Sequence, residues 1–128
     1  MPVSVIKMPY TGSRNIPERS RGPDHVEAGL LDALRAAGAE AGSVETIALT
    51  QVEDTEAYGE WHRMGLACAH LAECVAGHLR AHRPVVGLLG NCTALLGMLG
   101  GFRAAAGDAA RIGLLWIDAH ADFNTPET

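Results

Sequence analysis

Arg111-Ile112-Gly113-Leu114-Leu115-Trp116-Ile117-Asp118-Ala119-His120-Ala121-Asp122-Phe123-Asn124 is the stretch whose reading decides the fold. Its first seven residues are mostly apolar and show no alternation, which suits a strand buried on both faces. Polar groups follow at once. In an extended chain, side chains at i, i+2 and i+4 share one side. Asp118, His120, Asp122 and Asn124 are therefore expected to face together at the carboxyl end of that strand, where open α/β sheets place their sites. Two carboxylates and an imidazole at this spacing form a metal-binding array. Oxygen donors favour hard cations, and the imidazole moves the choice towards Mn, Fe, Co or Zn. The competing reading is a solvated polar turn.

Upstream, the apolar period switches repeatedly between strand and helix. Val3 to Met8 reads as a short strand, broken by Pro9-Tyr10-Thr11-Gly12. Pro23 suits the first turn of a helix, Asp24 and Glu27 suit its positive end, and Gly38 can stop it. Val44 to Leu49 reads as a second strand. The longest helical pattern runs from about Thr55 to His82, with Tyr58, Trp61, Met64, Cys68, Leu71, Val75 and Leu79 at steps of three or four, and Pro84 ends it. Pro84 to Gly90 is another apolar run, and Thr93 to Ala106 a further helix. The order β-α-β-α-β-α-β implies an α/β chain with a parallel sheet covered on both faces.

Composition narrows the partners. The 128 residues carry ten Lys plus Arg against fifteen Asp plus Glu, a net charge of −5, so no basic stripe is present to meet phosphates and nucleic acid is not expected as a partner. No apolar run approaches the roughly 18 residues that a membrane span needs. The N-terminus has no basic start followed by a long apolar stretch, so it does not read as a signal peptide. Three cysteines, Cys68, Cys74 and Cys92, are too few and too odd for a disulfide scaffold and fit a cytoplasmic protein. His78 and His82 are four apart on one helix but lie beside Arg80 and Arg83. They read as partners of the helix dipole rather than as a metal pair. Cys68 and Cys74 read as packing residues, and Tyr58 and Trp61 as core or interface.

Trp116 to Pro126 resembles the second signature of the ureohydrolases, the arginase, agmatinase and formimidoylglutamase family, with an Asp-Ala-His-x-Asp core followed by Asn-Thr-Pro. Leu89-Gly90-Asn91-Cys92-Thr93 is similar to the family's first signature, usually Gly-Gly-Asp-His-Ser after a strand. The resemblance covers the whole chain but only the N-terminal half of a family member. It implies a three-layer α-β-α fold with a parallel sheet, incomplete in this chain, and a binuclear site for two Mn²⁺. The residue matching Asp118 bridges both metals, and those matching His120 and Asp122 bind one each. Two such metals, ~3.5–4 Å apart, make hydroxide available near neutral pH for attack on a guanidinium carbon. The residue matching Asp122 also shuttles a proton to the leaving amine. The one matching Asn124 contacts the α-carboxylate of arginine. The implied activity is amidinohydrolase, and the implied partners are a small-molecule guanidino substrate, the family's C-terminal half on the same or another chain, and further copies in a homo-oligomer.

Two departures stand out. Cys92 occupies the place of the family's first metal-binding His, and Asn91 that of the adjacent Asp. A thiolate is soft and Mn²⁺ is hard, so Cys92 is open to three readings: a direct ligand, a residue near the site, or an inert cysteine beside a site that has lost one metal. An altered ligand suits a modified substrate such as an N-hydroxylated arginine. It also suits a second class of function, a non-catalytic binding or regulatory subunit with a degenerate metal site. In the family's sheet, two later strands lie between the third and fourth strands, and the missing half also brings further metal ligands. Residues 1–128 alone are therefore expected to associate rather than form a stable, active monomer.

Overall fold

The computed structural model describes residues 2–115 and 117. β1 (Val3–Met8) is the central strand of a parallel sheet, between β2 (Ala41–Thr46) and β3 (Val85–Leu89). Its register is fixed against both neighbours: Ile6 lies opposite Glu45 on β2 and opposite Gly87 on β3. A bulge interrupts the β1–β2 pairing between Val3 and Val5.

β1 is buried on both faces because helices cover both. Ile6 and Met8 pack with Met64, Ala67, Leu71 and Val75 of α2 (Gly59–Arg80), and with Tyr10, Ile47 and Ala94. Burying a side chain such as Leu71 contributes about 1.5–3 kcal/mol. Lys7 points the other way, to α1 (Gly22–Ala36), where its Nζ donates to Asp24 at 2.6 Å and to Glu27 at 2.7 Å. The two acids expected at the positive end of α1 thus also hold the helix to the sheet. Pro23 is in the first turn as anticipated, and Gly38 ends the helix region at a φ of 74°.

α2 packs broadly against α3 (Leu95–Ala106). Gly97 and Gly101 make this approach possible. A Cβ on Gly97 would lie 2.8 Å from the Cys68 carbonyl oxygen, and one on Gly101 2.5 Å from Val75 Cβ. The alternating strands and helices, with helices on both faces, fit an arginase-like α/β fold of which this chain is a part.

Three expectations need correction. The second strand begins three residues earlier than the apolar run suggests. Beyond Thr46 only Ile47 still reaches β1, through a bond from its N–H to Lys7 O, and the Leu49 N–H is taken by the Tyr10 hydroxyl at 2.8 Å. Trp61 is 83% exposed and Tyr58 stacks on His62 at the surface, so neither belongs to the core, whereas Met64, Leu71 and Val75 of the expected stripe are buried together with Ala67. Finally, residues 111–115 and 117 form no strand. Leu114, Leu115 and Ile117 are exposed. The segment runs beside the outer edge of β3, where Leu114 and Leu89 line one cavity, without pairing to it.

Candidate functional site

β1, β2 and β3 all point their carboxyl ends to one side, and the loops there are tied together by side chains. Asn91, just after β3, donates its amide to the carbonyls of Tyr10 at 3.0 Å and Gly12 at 3.4 Å. Its carbonyl oxygen accepts from the Ala94 N–H at 3.2 Å, capping the short 3₁₀ turn Cys92–Ala94 that leads into α3. Arg63 is buried under the neighbouring loops, donating to Thr55 O at 3.1 Å and Ser13 Oγ at 3.2 Å. Glu53 accepts from the backbone and hydroxyl of Thr50 and pairs with His70 at 2.9 Å. These bonds to its charged form hold its carboxyl down to about 2, with Thr50 the largest cause.

Cys92 is a free, exposed thiol on this rim. It opens the short turn that follows β3, at the carboxyl end of the sheet. Asn91 beside it is spent on loop and cap bonds, which an aspartate could not make with two carbonyls. Asp118, His120, Asp122 and Asn124 lie outside the described residues. Of the five anticipated site residues, Cys92 alone is among the described residues.

Two cavities flank the outer edge of β3. One, of about 410 Å³, is lined by Arg19, Ser20, Pro23 and Val26 from the α1 side together with Leu88 and Gly90. The other, of about 270 Å³, lies on the α3 side between Leu89, Met98, Phe102 and Leu114. Both leave the edge accessible to further chain.

A second cluster was not anticipated. Glu45 of β2 meets Cys74 and His78 of α2: Cys74 packs against the core and His78 lies in the last helical turn as the sequence suggested, and both also reach Glu45. The available signal was the spacing of Cys74 and His78, four apart on one helix face. Their link to Glu45 crosses from helix to strand and only the tertiary fold makes it. No helix among the described residues is long and apolar enough to cross a membrane.

Residues 1–128 match the sequence pattern of the Arginase family. The chain is 30% identical over 132 residues to the arginase of Schizosaccharomyces pombe, covering 98% of this chain and 40% of that protein. It is 30% identical to non-hepatic arginase 1 of Xenopus laevis and 29% identical to mitochondrial arginase-2 of Homo sapiens, each time over 98% of this chain and 36% of the relative. The chain thus spans about two-fifths of the length of the curated relatives it matches. With a parallel sheet, helices on both faces and a family match from end to end, this chain belongs to the arginase family.

Proposed function

We propose that this chain supplies the N-terminal part of a metal-dependent amidinohydrolase that acts on arginine or an N-hydroxylated arginine, releasing urea or hydroxyurea. The observation that carries the reading is the family match over residues 1–128, which includes the Asp118-Ala119-His120-Ala121-Asp122 motif. Two carboxylates and an imidazole are a donor set suited to Mn²⁺. Asp118, His120 and Asp122 would hold part of a two-metal site, and the remaining ligands come from the family's C-terminal half, on this or another chain. Cys92, an exposed thiol at the carboxyl end of the sheet, is at the right end of the fold to border it. When bound, two such ions supply an activated water near neutral pH. Asp122 takes up a proton and passes it to the leaving amine. Asn124 holds the substrate's α-carboxylate, which favours an amino acid over a simple amine.

A second reading is a non-catalytic subunit with a degenerate site. It is favoured by Asn91, whose side chain is fully used by Tyr10, Gly12 and Ala94. One experiment separates the two. The full-length protein, with any partner chain, is assayed for urea and hydroxyurea release with Mn²⁺ present and after chelation. The enzyme reading expects two bound metals and a loss of about a hundredfold or more in Asp122→Ala. Unchanged turnover in Asp122→Ala would remove that residue from the chemistry. Absence of bound metal and of turnover would establish the non-catalytic reading.

A further inference from the structure

The outer strand β2 and the last turns of α2 bring three chemically different side chains to one point. The Glu45 carboxylate accepts from His78 Nε2 at 2.7 Å and from Cys74 Sγ at 3.2 Å. One ligand atom from each of the three residues lies within 4.8 Å of the other two. Cys74 and His78 project from the same helix face, and Glu45 closes the triangle from the strand. His78 is 5% exposed, whereas Glu45 opens to solvent. The three line a shallow groove of about 340 Å³ that also includes Glu73, Gly77 and Arg83.

We propose that Glu45, Cys74 and His78 form a binding site for a zinc-like divalent transition ion, separate from the Asp118/His120/Asp122 motif. One oxygen, one nitrogen and one sulfur donor select zinc over magnesium or manganese. Tetrahedral bonds of about 2.0–2.3 Å put ligand atoms roughly 3.3–3.8 Å apart. The observed separations, 2.7 and 3.2 Å from Glu45 and all within 4.8 Å, bracket that range. Three protein ligands leave a fourth position, which the open side of the groove gives to water. On binding, Cys74 Sγ releases its proton to solvent, and the Nε2 proton that His78 shares with Glu45 shifts to Nδ1. The thiolate and the carboxylate together balance the dication. Glu73 and Arg83 bring one charge of each sign to the same groove.

The location is distinct from the rim that carries Cys92. β1 separates β2 from β3, which puts the two outer strands roughly 10 Å apart. His78 is in the last turn of α2, which leads back to the start of β3, whereas Cys92 follows the end of β3.

The test is a titration of the full-length protein with Co²⁺ as a spectroscopic probe and with Zn²⁺ as competitor. A near-ultraviolet thiolate-to-cobalt band is expected in the wild type and in Cys92→Ser. It should be absent in Cys74→Ser and should disappear when Zn²⁺ is added. Glu45→Gln, a half-exposed position that leaves the core intact, should weaken Zn²⁺ binding about tenfold or more. Circular dichroism of the metal-free variants checks that each is folded. A wild type without the band, a band that survives Cys74→Ser, a band lost in Cys92→Ser instead, or Zn²⁺ affinity unchanged in Glu45→Gln would each overturn the proposal.

Discussion

The side-chain amide of Asn91 donates to the main-chain carbonyl of Tyr10 at 3.0 Å, which ties the end of β3 to the end of β1. Gly90 makes the approach possible, because any Cβ there would collide with the Tyr10 backbone. The resemblance to the family suggested an aspartate beside the first metal ligand; here the amide serves a purpose that a carboxylate cannot. Asn91→Asp would set a negative oxygen against two carbonyls while keeping the cap on Ala94. We expect it to destabilise the protein by about 1–3 kcal/mol, read as a lower midpoint in thermal or urea unfolding. An unchanged midpoint would show that the loop is held by other contacts.

Gly101 is a second position where space is the constraint. Its missing side chain lets α3 rest on Val75 and on the Ala72 carbonyl. Gly101→Ala inserts a methyl group into that contact and is expected to cost about 1–3 kcal/mol despite the better helix propensity of alanine. Gly29, on α1, has nothing within 4 Å of its Cβ position, so Gly29→Ala should instead be neutral or stabilising. Chemical denaturation of the two variants compares them directly.

Glu53 gives the loop after β2 an acid-sensitive latch. Its carboxyl titrates at about 2 in the folded protein, below the ordinary 4.5, so its bonds to Thr50 and His70 favour the fold fully above 4.5. That contribution is lost as pH falls from 4.5 through about 2. The stability difference between wild type and Glu53→Gln should therefore shrink as pH falls through that acid window. A difference that does not change with pH would mean that the latch is not formed by the ionised carboxylate.

The outer edge of β3 offers unpaired backbone with an apolar cavity beside it, and Leu114, Leu115 and Ile117 are exposed nearby. Residues 1–128 expressed alone should associate, visible as oligomers or aggregates in light scattering, and should become monodisperse when the C-terminal half is co-expressed. A monodisperse isolated monomer with cooperative unfolding would contradict this.

Much of this protein was legible in its sequence. β1 was read with its observed limits, since Val3 to Met8 combines β-branched residues with a Pro9 stop, and both signals are local. α1 announced itself through Pro23 and Gly38, and α3 through the helical stretch from Thr93 to Ala106. The motif from Asp118 to Asn124 is likewise a property of sequence spacing. Tertiary structure decided what depends on partners distant along the chain. β2 was drawn three residues upstream because its pairing with β1 outweighed the stronger β propensity of Ile47 to Leu49. Trp61 went to the surface because the core contact of α2 runs from Met64 through Leu71 to Val75 and does not extend to its first turn. Glu45, Cys74 and His78 met because a strand edge and a helix end crossed. Residues 111–115 form no strand although they are apolar: apolar character specifies burial, whereas strand pairing depends on register with a partner that local sequence does not encode.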